Sequence, residues 1–377
     1  MSDHPTVIIY RNHLLRHSET FIQAQAESLS QFDYHYAGSR QVLGLDLPSE
    51  KVSTIYGPQF IQKVHESAYR ISGFSPFFFR KIRSLSPELI HAHFGPDAVR
   101  AIPLAKALDV PLLVTFHGYD ITVKPSYAWR ASFSQLIYLL HKEKLKQEAT
   151  HFIAVSDFIR KLLVEQKFPP EKISTHYIGI NPSLFSQDEN IQRTPTVLFV
   201  GRLVEMKGCE YLIRAMAQVQ AVLPDTELVI IGDGPLRSQL ELMAGQNLRS
   251  YRFLGFQSPS IVQDWMNKSK VFCVPSITTK TGHSEAFGIV FAEAQSMGLP
   301  AVSFDTGGIS EAVAHGSTGL LAPQKDVKEL SMHLVSLLTD EALWRRMSRA
   351  AAKRVREKFD IRHQSKLLEK IYSKAIA

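Results

Sequence analysis

The stretch "GINPSLFSQDENIQRTPTVLFVG" at residues 179–201 divides the chain into two parts. Residues 179–195 are mostly polar and include Pro182 and Pro195, which is typical of a linker. Residues 196–201 form an apolar run of β-branched and aromatic side chains, which predicts a buried strand. Because 377 residues also exceed what one hydrophobic core usually supports, we expect a second domain to begin here.

Short apolar runs alternate with amphipathic segments of helical period on both sides of this linker. The predicted strands are residues 6–10, 34–38, 89–95, 112–118, 152–156, 174–179, 196–201, 227–232, 251–256, 271–276 and 301–305. Near-continuous apolar strands separated by helices indicate parallel sheets that are covered on both faces. We therefore predict two doubly wound, Rossmann-like α/β domains that face a cleft. A single eight-fold barrel is disfavoured, because about eleven strands and a mid-chain break do not fit that fold.

The last segment, residues 343–377, has helical periodicity with an interruption near Phe359 and Asp360. A long terminal helix with such a break can cross back and pack on the first domain. We therefore predict an N-terminal domain of residues 1–180 together with 360–377, and a C-terminal domain of residues 181–359.

The composition excludes several classes of protein. A net charge of +7, spread over both halves, argues against a nucleic-acid-binding arm and suits an anionic small substrate. Two cysteines, Cys209 and Cys273, lie in runs that look buried, so we expect no disulfide framework and a cytoplasmic location. The N-terminus does not resemble a signal peptide, and no run of about 18 apolar residues predicts a membrane span.

One basic and aromatic segment, "FFFRKIRSL" at residues 77–85, allows two interpretations. The first is a solvated helix with a buried aromatic side. The second is peripheral contact with the inner face of the plasma membrane.

The loops after the strands carry the candidate site residues, since ligands of open α/β sheets collect at the carboxyl ends of strands. In "GRLVEMKG" (201–208), Gly201 permits a tight turn, and Arg202 and Lys207 bring two cations into one loop. The turn "IIGDGP" (230–235) lacks the third glycine of a dinucleotide fingerprint, which disfavours a nicotinamide oxidoreductase.

The stretch "SEAFGIVFAEA" (284–294) predicts an anion site. A helix that begins near Gly288 leaves backbone N–H groups free at the positive end of its dipole, and glycine lets a phosphate approach. Glu293 lies one turn above Ile289, and Glu285 precedes the helix. A phosphate site with hydroxyl acceptors on both sides suits a nucleotide sugar.

These motifs resemble a known family. "GRLVEMKG" followed by "SEAFGIVFAEAQSMGLPAVSFDTGGISEAV" is similar to the Glu-x7-Glu signature of retaining glycosyltransferases of family 4, which have the GT-B fold. "HAHFG", "TFHGYD", "FIAVSDFIRKLL" and "HYIGIN" also fall where such enzymes carry similar blocks, so the resemblance covers essentially the whole chain. "SETFI" (18–22) looks closest to members that build bacterial exopolysaccharides.

The resemblance implies a C-terminal donor-binding domain and an N-terminal acceptor-binding domain. Arg202 and Lys207 would bind the donor diphosphate, Glu285 the sugar hydroxyls and Glu293 the ribose. His117 would lie beside the anomeric carbon, and the implied catalytic residues are Glu285, His117, Arg202 and Lys207. The rest of the implied donor site is Gly201, Phe256, Ser284, Ala286, Phe287, Gly288 and Ile289.

The acceptor side departs from the family pattern, because many relatives carry a glycine-rich loop after the first strand and this chain has no glycine before Gly38. Here Ser18 is predicted to cap a helix, with Glu19 and Thr20 at its N-terminus. The expected acceptor-binding residues are Glu19, Thr20, His93 and Asp120.

We expect neither a metal nor a cofactor. Arg202, Lys207 and a helix N-terminus can stabilise the charge that develops on a departing nucleoside diphosphate, and no paired aspartates suit Mg²⁺. UDP-glucose is the first expected donor, ahead of other UDP-hexoses and GDP-mannose, with a glycan or lipid-linked sugar as acceptor. We expect front-side attack within an ion pair.

Two alternatives stay open at this point. A non-catalytic nucleotide-sugar-binding protein would share every binding feature above. A metal-dependent hydrolase would use His91 and His93, which lie on one face of a strand. A glycosidase using Glu285 and Glu293 is disfavoured, because a pair on one helix cannot flank a glycosidic bond.

Overall fold

The computed structural model describes residues 4–55, 69, 73–188 and 190–377. The chain divides into two compact units, one of Met1–Gly179 with Ile361–Ala377 and one of Ile180–Asp360. Each unit has a parallel sheet with Rossmann-like strand order, so the prediction of two doubly wound α/β domains is confirmed.

The first unit contains a seven-stranded sheet in the order β5-β3-β1-β6-β7-β8-β9, and its neighbouring strands all pair in parallel. A small two-stranded sheet joins β2 and β4. The strands are β1 (Thr6–Tyr10), β2 (His13–Leu14), β3 (Asp33–Gly38), β4 (Arg40–Gln41), β5 (Val52–Thr54), β6 (Pro87–His93), β7 (Leu112–Phe116), β8 (His151–Ala154) and β9 (Ile173–Thr175).

The described helices of the first unit cover this sheet. They are α1 (Thr20–Glu27), α2 (Pro76–Arg83), α3 (Gly95–Leu108), α4 (Tyr119–Thr122), α5 (Pro125–Ala131), α6 (Phe133–Glu148) and α7 (Asp157–Glu165). Short 3-10 turns occupy His17–Glu19, Ser49–Lys51 and Pro170–Lys172.

The second unit contains a six-stranded parallel sheet in the order β12-β11-β10-β13-β14-β15. Its strands are β10 (Thr194–Val200), β11 (Glu227–Ile231), β12 (Tyr251–Gly255), β13 (Ser269–Cys273), β14 (Ala301–Phe304) and β15 (Gly319–Ala322). Its helices are α8 (Cys209–Val222), α9 (Arg237–Asn247), α10 (Pro259–Lys268), α11 (Ile289–Ser296), α12 (Ile309–Ala312), α13 (Val327–Thr339) and α14 (Glu341–Lys358), with a 3-10 turn at Glu205–Lys207.

The central strands form the cores because helices exclude water from both faces of each sheet. Val7 through Tyr10 in β1 and Val197 through Phe199 in β10 are each at most 1% exposed. Strands buried in this way have no polar face, which is why their sequences read as continuous apolar runs rather than alternating ones.

The differences from the predicted strands lie at edges and ends. The edge strands β5 and β15 were not predicted, and neither were the two-residue strands β2 and β4, which are too short to give a pattern. The predicted strands at 89–95 and 112–118 end earlier, at His93 and Phe116, because the following residues form loops and helix starts.

Residues 77–83 of the basic aromatic segment lie on α2, which is amphipathic. Phe78, Phe79 and Ile82 are buried, whereas Phe77 is 75% exposed beside the exposed Arg80. None of the described helices combines the length and the apolar character that crossing a membrane requires.

The last helix, α15 (Ile361–Ile376), belongs to the first unit, as the crossing-back prediction required. The carboxylate of Glu369 is 1% exposed and accepts the backbone N–H groups of Ser30 at 2.5 Å and Gln31 at 2.7 Å. The Tyr372 hydroxyl lies 2.6 Å from Nδ1 of His91 in β6. The chain end is therefore fixed to the loop after α1 and to the sheet.

We predict that Glu369→Ala destabilises the first unit by about 2–4 kcal/mol, because the buried carboxylate makes charge-assisted hydrogen bonds to two backbone N–H groups, which then lose their acceptor. The matched control is Glu357→Ala on α14, whose carboxylate makes an exposed 3.8 Å pair with Lys353. Urea unfolding followed by circular dichroism measures both variants. Equal stability of the two variants would contradict the assigned role of Glu369.

Candidate functional site

The strand order of the second unit creates a switch point beside β10. Strand β10 lies between β11 and β13. The chain continues from β10 to β11 on one side and from β13 to β14 on the other, so the connections after these two neighbouring strands run in opposite directions across the sheet. Ligands of open α/β sheets bind at the carboxyl ends of strands at such a point. Both predicted motifs, 201–208 after β10 and 284–294 after β13, begin there.

The loop after β10 carries the two predicted cations. Arg202 is exposed, and Lys207 closes the 3-10 turn Glu205–Lys207. The chain bends at Gly201, but Gly201 has no positive φ and a Cβ there would meet Cδ of Lys207 at an ordinary 3.7 Å, so this bend does not require glycine.

Lys207 and Glu285 form an ion pair at 2.5 Å. Their side chains are 16% and 12% exposed, and the hydroxyl of Ser276 lies 3.4 Å from the same carboxylate oxygen. The residue predicted to bind the diphosphate and the residue predicted to bind the sugar therefore neutralise one another. Pairing largely offsets the cost of withdrawing each charge from water.

The loop after β14 holds the backbone of Glu285. Gly308 N–H donates to the Glu285 carbonyl oxygen at 2.9 Å. Gly307 has a φ of +59°, and a Cβ there would overlap that same carbonyl oxygen. Sequence reasoning assigned no role to these two glycines.

Helix α11 begins one residue later than predicted, and Gly288 precedes it with a left-handed backbone, φ 81° and ψ 67°. A Cβ on Gly288 would lie 2.6 Å from the ring of Phe291, so glycine is required by the turn itself and not only by an approaching ligand. Phe287 is buried, and its ring centroid lies 5.1 Å from that of Phe359; this contact anchors the turn.

The other side chains of this turn are engaged within the protein. The hydroxyl of Ser284 lies 2.7 Å from that of Thr278, and Ala286 is buried. These two residues, together with Phe287, can therefore offer a ligand mainly backbone groups.

Glu293 differs from Glu285 in its surroundings. It lies on the second turn of α11, is half-buried and has no hydrogen-bond or ion-pair partner among the described residues. Burial raises the pKa of Glu293 to about 7. A shielded carboxyl group with a perturbed pKa and no partner is a common mark of a binding site.

Two further residues border this group. His283 was not predicted as a site residue. Burial lowers the pKa of His283, the carboxylate of Glu285 raises it, and the cations Lys207 and Arg202 lower it further. His283 therefore lies among these three charges. Phe256, the predicted base-binding residue, directly follows β12 and is 74% exposed.

The first unit has its own group of polar residues at the carboxyl ends of β1, β6 and β7. His93 is the last residue of β6 and is fully buried, and its Nδ1 lies 3.0 Å from Nε2 of His117. The rings of Phe94 and Phe21 lie 4.6 Å and 4.9 Å from that of His117. Phe94 has a positive φ of 70°, a strained conformation for a bulky residue.

Asp120 connects two of the loops beside this group by hydrogen bonds. Its carboxylate accepts N–H groups from Gly95 at 3.0 Å and Gly118 at 2.9 Å, and burial raises its pKa to about 6. It thereby ties the turn after His117 to the start of α3. Asp120 therefore positions these two loops, and His93, another predicted acceptor-binding residue, is 0% exposed in this structure.

Glu19 and Thr20 lie at the start of α1, but the predicted cap by Ser18 is wrong. A 3-10 turn precedes the helix, and the Glu19 carboxylate accepts Arg16 N–H at 3.1 Å. Glu19 also forms an ion pair with Arg11 at 2.5 Å, and Arg11 contacts Asp97 as well. Glu19 is therefore occupied, whereas Thr20 is exposed.

The metal-binding interpretation of His91 and His93 does not fit their contacts. Both ring nitrogens of His91 are engaged, with the hydroxyls of Tyr372 and Thr115 at 2.6 Å each. Within the described parts of the chain, no group of three or more histidine, cysteine, aspartate or glutamate side chains is arranged to hold a metal ion.

Two family models match the chain in tandem. Residues 39–184 match Glycosyltransferase Family 4, and residues 183–354 match Glycosyl transferases group 1. The two matches meet close to Gly179, where the first part of the first unit ends.

Related proteins and a related structure agree with these matches. The chain is 30% identical over 283 residues to a glycogen synthase of Mycobacterium tuberculosis, covering 74% of this chain and 66% of that protein. It is 27% identical over 269 residues to the amylovoran biosynthesis glycosyltransferase AmsK of Erwinia amylovora, covering 69% and 63%. The chain thus spans about two thirds of the length of these curated relatives.

Among solved structures, Anabaena HepE in complex with UDP-glucose aligns with a TM-score of 0.76 at 19% identity, over 98% of this chain and 100% of that chain. At this level of identity the likeness establishes the shared fold.

We predict that Glu293→Gln is more stable than the wild type at pH 8, by about 1–3 kcal/mol, but not at pH 4. The folded pKa of Glu293, about 7, lies above its ordinary value of 4.5, so the folded state binds the proton more tightly than the unfolded chain. The contribution of this group to stability therefore falls as pH rises from 4.5 to 7.

Urea unfolding across pH 4–8 measures this effect, and Glu357→Gln on α14 is the exposed control. Parallel stability–pH curves for the wild type and Glu293→Gln would contradict the raised pKa.

Proposed function

We propose, from the premise that the chain belongs to the GT-B glycosyltransferases, that it is a retaining, metal-independent hexosyltransferase without a cofactor. It transfers a hexose from a nucleotide sugar to a glycan or a lipid-linked sugar in polysaccharide biosynthesis. UDP-glucose is the first candidate donor, followed by other UDP-hexoses and GDP-mannose.

One observation carries this proposal. At the switch point of the second sheet, an ion-paired Lys207 and Glu285 lie in the loops beside a helix whose unpaired Glu293 has a pKa of about 7. A nucleotide sugar matches this set of groups, because its diphosphate needs cations and helix N–H groups while its ribose and hexose hydroxyls need carboxylate acceptors.

The ion pair gives the donor a route into the site. The diphosphate replaces Glu285 as the partner of Lys207, so that Lys207 keeps a counter-charge. Glu285, released from Lys207, accepts hydroxyls of the hexose. Binding thereby exchanges one set of charge contacts for another, so that no buried charge is left without a partner.

The same cations serve the chemical step. Negative charge grows on the diphosphate as the glycosidic bond breaks, and Lys207, Arg202 and the N-terminus of α11 stabilise it. Glu285 stabilises the positive charge that develops on the sugar. Both assigned carboxylates bind hydroxyls and neither is assigned as a nucleophile, so we propose front-side attack within an ion pair.

The relatives support a role in the synthesis of carbohydrate polymers. AmsK is described as an amylovoran biosynthesis glycosyltransferase, and the HepE structure was solved with UDP-glucose. Helix α2, with the exposed Phe77 and Arg80, is the proposed contact with the inner face of the membrane, where a lipid-linked acceptor would be available.

We predict opposite effects of changing the two glutamates. Glu285→Gln should lower transfer sharply without weakening the binding of UDP or GDP, because Glu285 contacts the hexose. Glu293→Ala should weaken nucleoside diphosphate binding by about 1–3 kcal/mol, because ribose hydroxyls lose their acceptor.

Calorimetry with UDP and GDP, beside an assay of transfer and of donor hydrolysis, separates the two effects. Loss of nucleotide affinity in Glu285→Gln but not in Glu293→Ala would reverse the donor's placement along α11. Nucleotide-sugar binding without any turnover would favour the non-catalytic alternative.

We also predict that fixed cations, and not a metal, carry the diphosphate charge. Arg202→Ala and Lys207→Ala should each weaken UDP or GDP binding tenfold or more, since a charge-assisted phosphate contact contributes about 1.5–3 kcal/mol. Lys280→Ala, an exposed cation on the loop after β13, is the control. Turnover should be unchanged by EDTA; activity that EDTA abolishes and Mg²⁺ or Mn²⁺ restores would refute metal independence.

A further inference from the structure

The net positive charge of the chain is concentrated in its last two helices. Residues 341–377 contain eleven Lys or Arg and four Asp or Glu, a net charge of +7 that equals the charge of the whole chain. The two halves of the chain are similarly charged only because residues 181–340 carry a net charge of −4. Two of the four acids, Asp360 and Glu369, are buried, so few carboxylates offset this charge at the surface.

Helix α14 presents five exposed cations on one face. Their spacing places all five within an arc of about 100° around the helix axis and over a length of about 16 Å. The five cations are Arg345, Arg346, Arg349, Lys353 and Arg356. The only other residue of α14 on that arc is Ala342, so the face has no large apolar side chain and no carboxylate.

The carboxylates of the protein pair with only two of these five cations. Glu341 lies 2.8 Å from Arg345. Glu357 lies 3.8 Å from Lys353, in a loose contact between exposed side chains. The other three have no hydrogen-bond or ion-pair partner in the part of the chain that the structure describes; they are Arg346, Arg349 and Arg356. Like charges three or four residues apart on a helix repel each other, so a bound anion would relieve a repulsion that the protein does not offset.

The opposite face of α14 is packed against the rest of the second unit. Met347, Ala351 and Val355 on that face are each at most 1% exposed. The hydroxyl of Ser348 donates to the carbonyl oxygen of Gly298 at 2.6 Å, just after the end of α11. Because the helix is fixed along this side, its cations form a row of fixed direction on the surface of the unit.

The chemistry of this face selects an anionic lipid surface as its partner. Five cations spread over about 16 Å need several phosphates rather than one small anion. Nucleic acids and sugars are recognised by aromatic stacking and by amide hydrogen bonds, and the face has neither type of side chain. Anionic leaflets attract clusters of four to eight Lys or Arg on amphipathic helices. Four of the five cations are arginines, whose planar guanidinium groups bind phosphate oxygens in pairs.

We propose that the basic face of α14 adsorbs onto an anionic phospholipid surface, mainly through Arg346, Arg349 and Arg356. The choice of partner rests on the proposed function, because a lipid-linked acceptor is found at a membrane. The contact is electrostatic and does not insert into the bilayer, since the face carries no large apolar side chain. It is separate from the proposed apolar contact of α2, which belongs to the first unit.

Co-sedimentation of the full chain with vesicles measures this contact. The vesicles contain phosphatidylcholine alone or phosphatidylcholine mixed with phosphatidylglycerol. We expect binding to the mixed vesicles only, and we expect it to weaken as the ionic strength rises from about 0.05 M to about 0.5 M, because salt screens exposed charges. Each basic residue near an anionic leaflet strengthens binding about fivefold. The triple variant Arg346→Gln, Arg349→Gln and Arg356→Gln should therefore bind about 100-fold more weakly, while glutamine preserves the helix.

The matched control removes the same number of charges from scattered exposed positions of the second unit, through Arg249→Gln, Lys268→Gln and Lys328→Gln. We expect this variant to bind the mixed vesicles within about threefold of the wild type, because isolated exposed charges are screened beyond about 10 Å. An equal loss in both triple variants would overturn the proposal, since net charge alone would then drive binding.

Three further results would overturn it. The first is equal, salt-insensitive binding of the wild type to both kinds of vesicle. The second is binding to duplex DNA with no binding to the mixed vesicles. The third is vesicle binding that survives in the α14 variant but is lost when exposed lysines of α15 are changed to glutamine, namely Lys366, Lys370 and Lys374. Circular dichroism checks the fold of each variant, and the first two measurements need only the wild type.

Calorimetry with UDP and GDP separates this proposal from the proposed function. None of the three arginines belongs to the assigned donor site, so we expect the α14 variant to bind nucleotides as the wild type does. Nucleotide binding by a wild type that does not bind anionic vesicles would overturn the lipid contact alone. Vesicle binding that depends on α14, in a protein that binds no nucleotide or nucleotide sugar, would overturn the proposed function while the lipid contact stands.

Discussion

Parallel strands place all of their carboxyl ends at one edge of a sheet, and this constraint determines where the candidate site lies. In the second unit, it brings the loops after β10, β13 and β14 together, although Lys207 and Glu285 are 78 residues apart in sequence. In the first unit, it does the same for Arg11, His93 and His117, which follow or end β1, β6 and β7. Neither group could assemble in an antiparallel sheet, where neighbouring strands end at opposite edges.

Burial then dictates the charge state in which each group exists without a ligand. Lys207 and Glu285 neutralise each other, Glu293 has a pKa near 7, and His93 and His117 are neutral. Each arrangement lowers the cost of keeping a polar group away from water. A ligand rich in phosphate and hydroxyl oxygens supplies partners that the protein itself does not, and we regard this as the physical basis of the proposed donor binding.

The sequence predicted the central strands and the helix start near Gly288 because both depend on local patterns. Continuous apolar runs indicated β1 and β10, and the spacing of Glu285 and Glu293 placed them on either side of a helix start. The pairing of Lys207 with Glu285 could not be predicted, since it depends on which strands are neighbours in the sheet. Gly307 was missed for the same reason, because its need for glycine comes from the Glu285 carbonyl of a distant loop.

Residue type alone does not reveal whether a polar side chain is used by the protein itself. Asp120 and Glu19 resemble ligand-binding acids in sequence, but the first accepts backbone N–H groups and the second pairs with Arg11. Their chemistry is the same as that of Glu293; what differs is whether a partner lies within reach in the folded chain.

The return of the chain end to the first unit connects its fold to its histidines. Helix α15 supplies the Tyr372 hydroxyl that occupies His91, and Thr115 occupies the other nitrogen of that ring. His91 therefore has no free nitrogen with which to pair His93, although the two rings are 4.3 Å apart. With His91 satisfied by a helix from the far end of the sequence, His93 is left with His117 as its partner. The packing of α15 thus fixes not only the stability of the first unit but also which histidines share a proton.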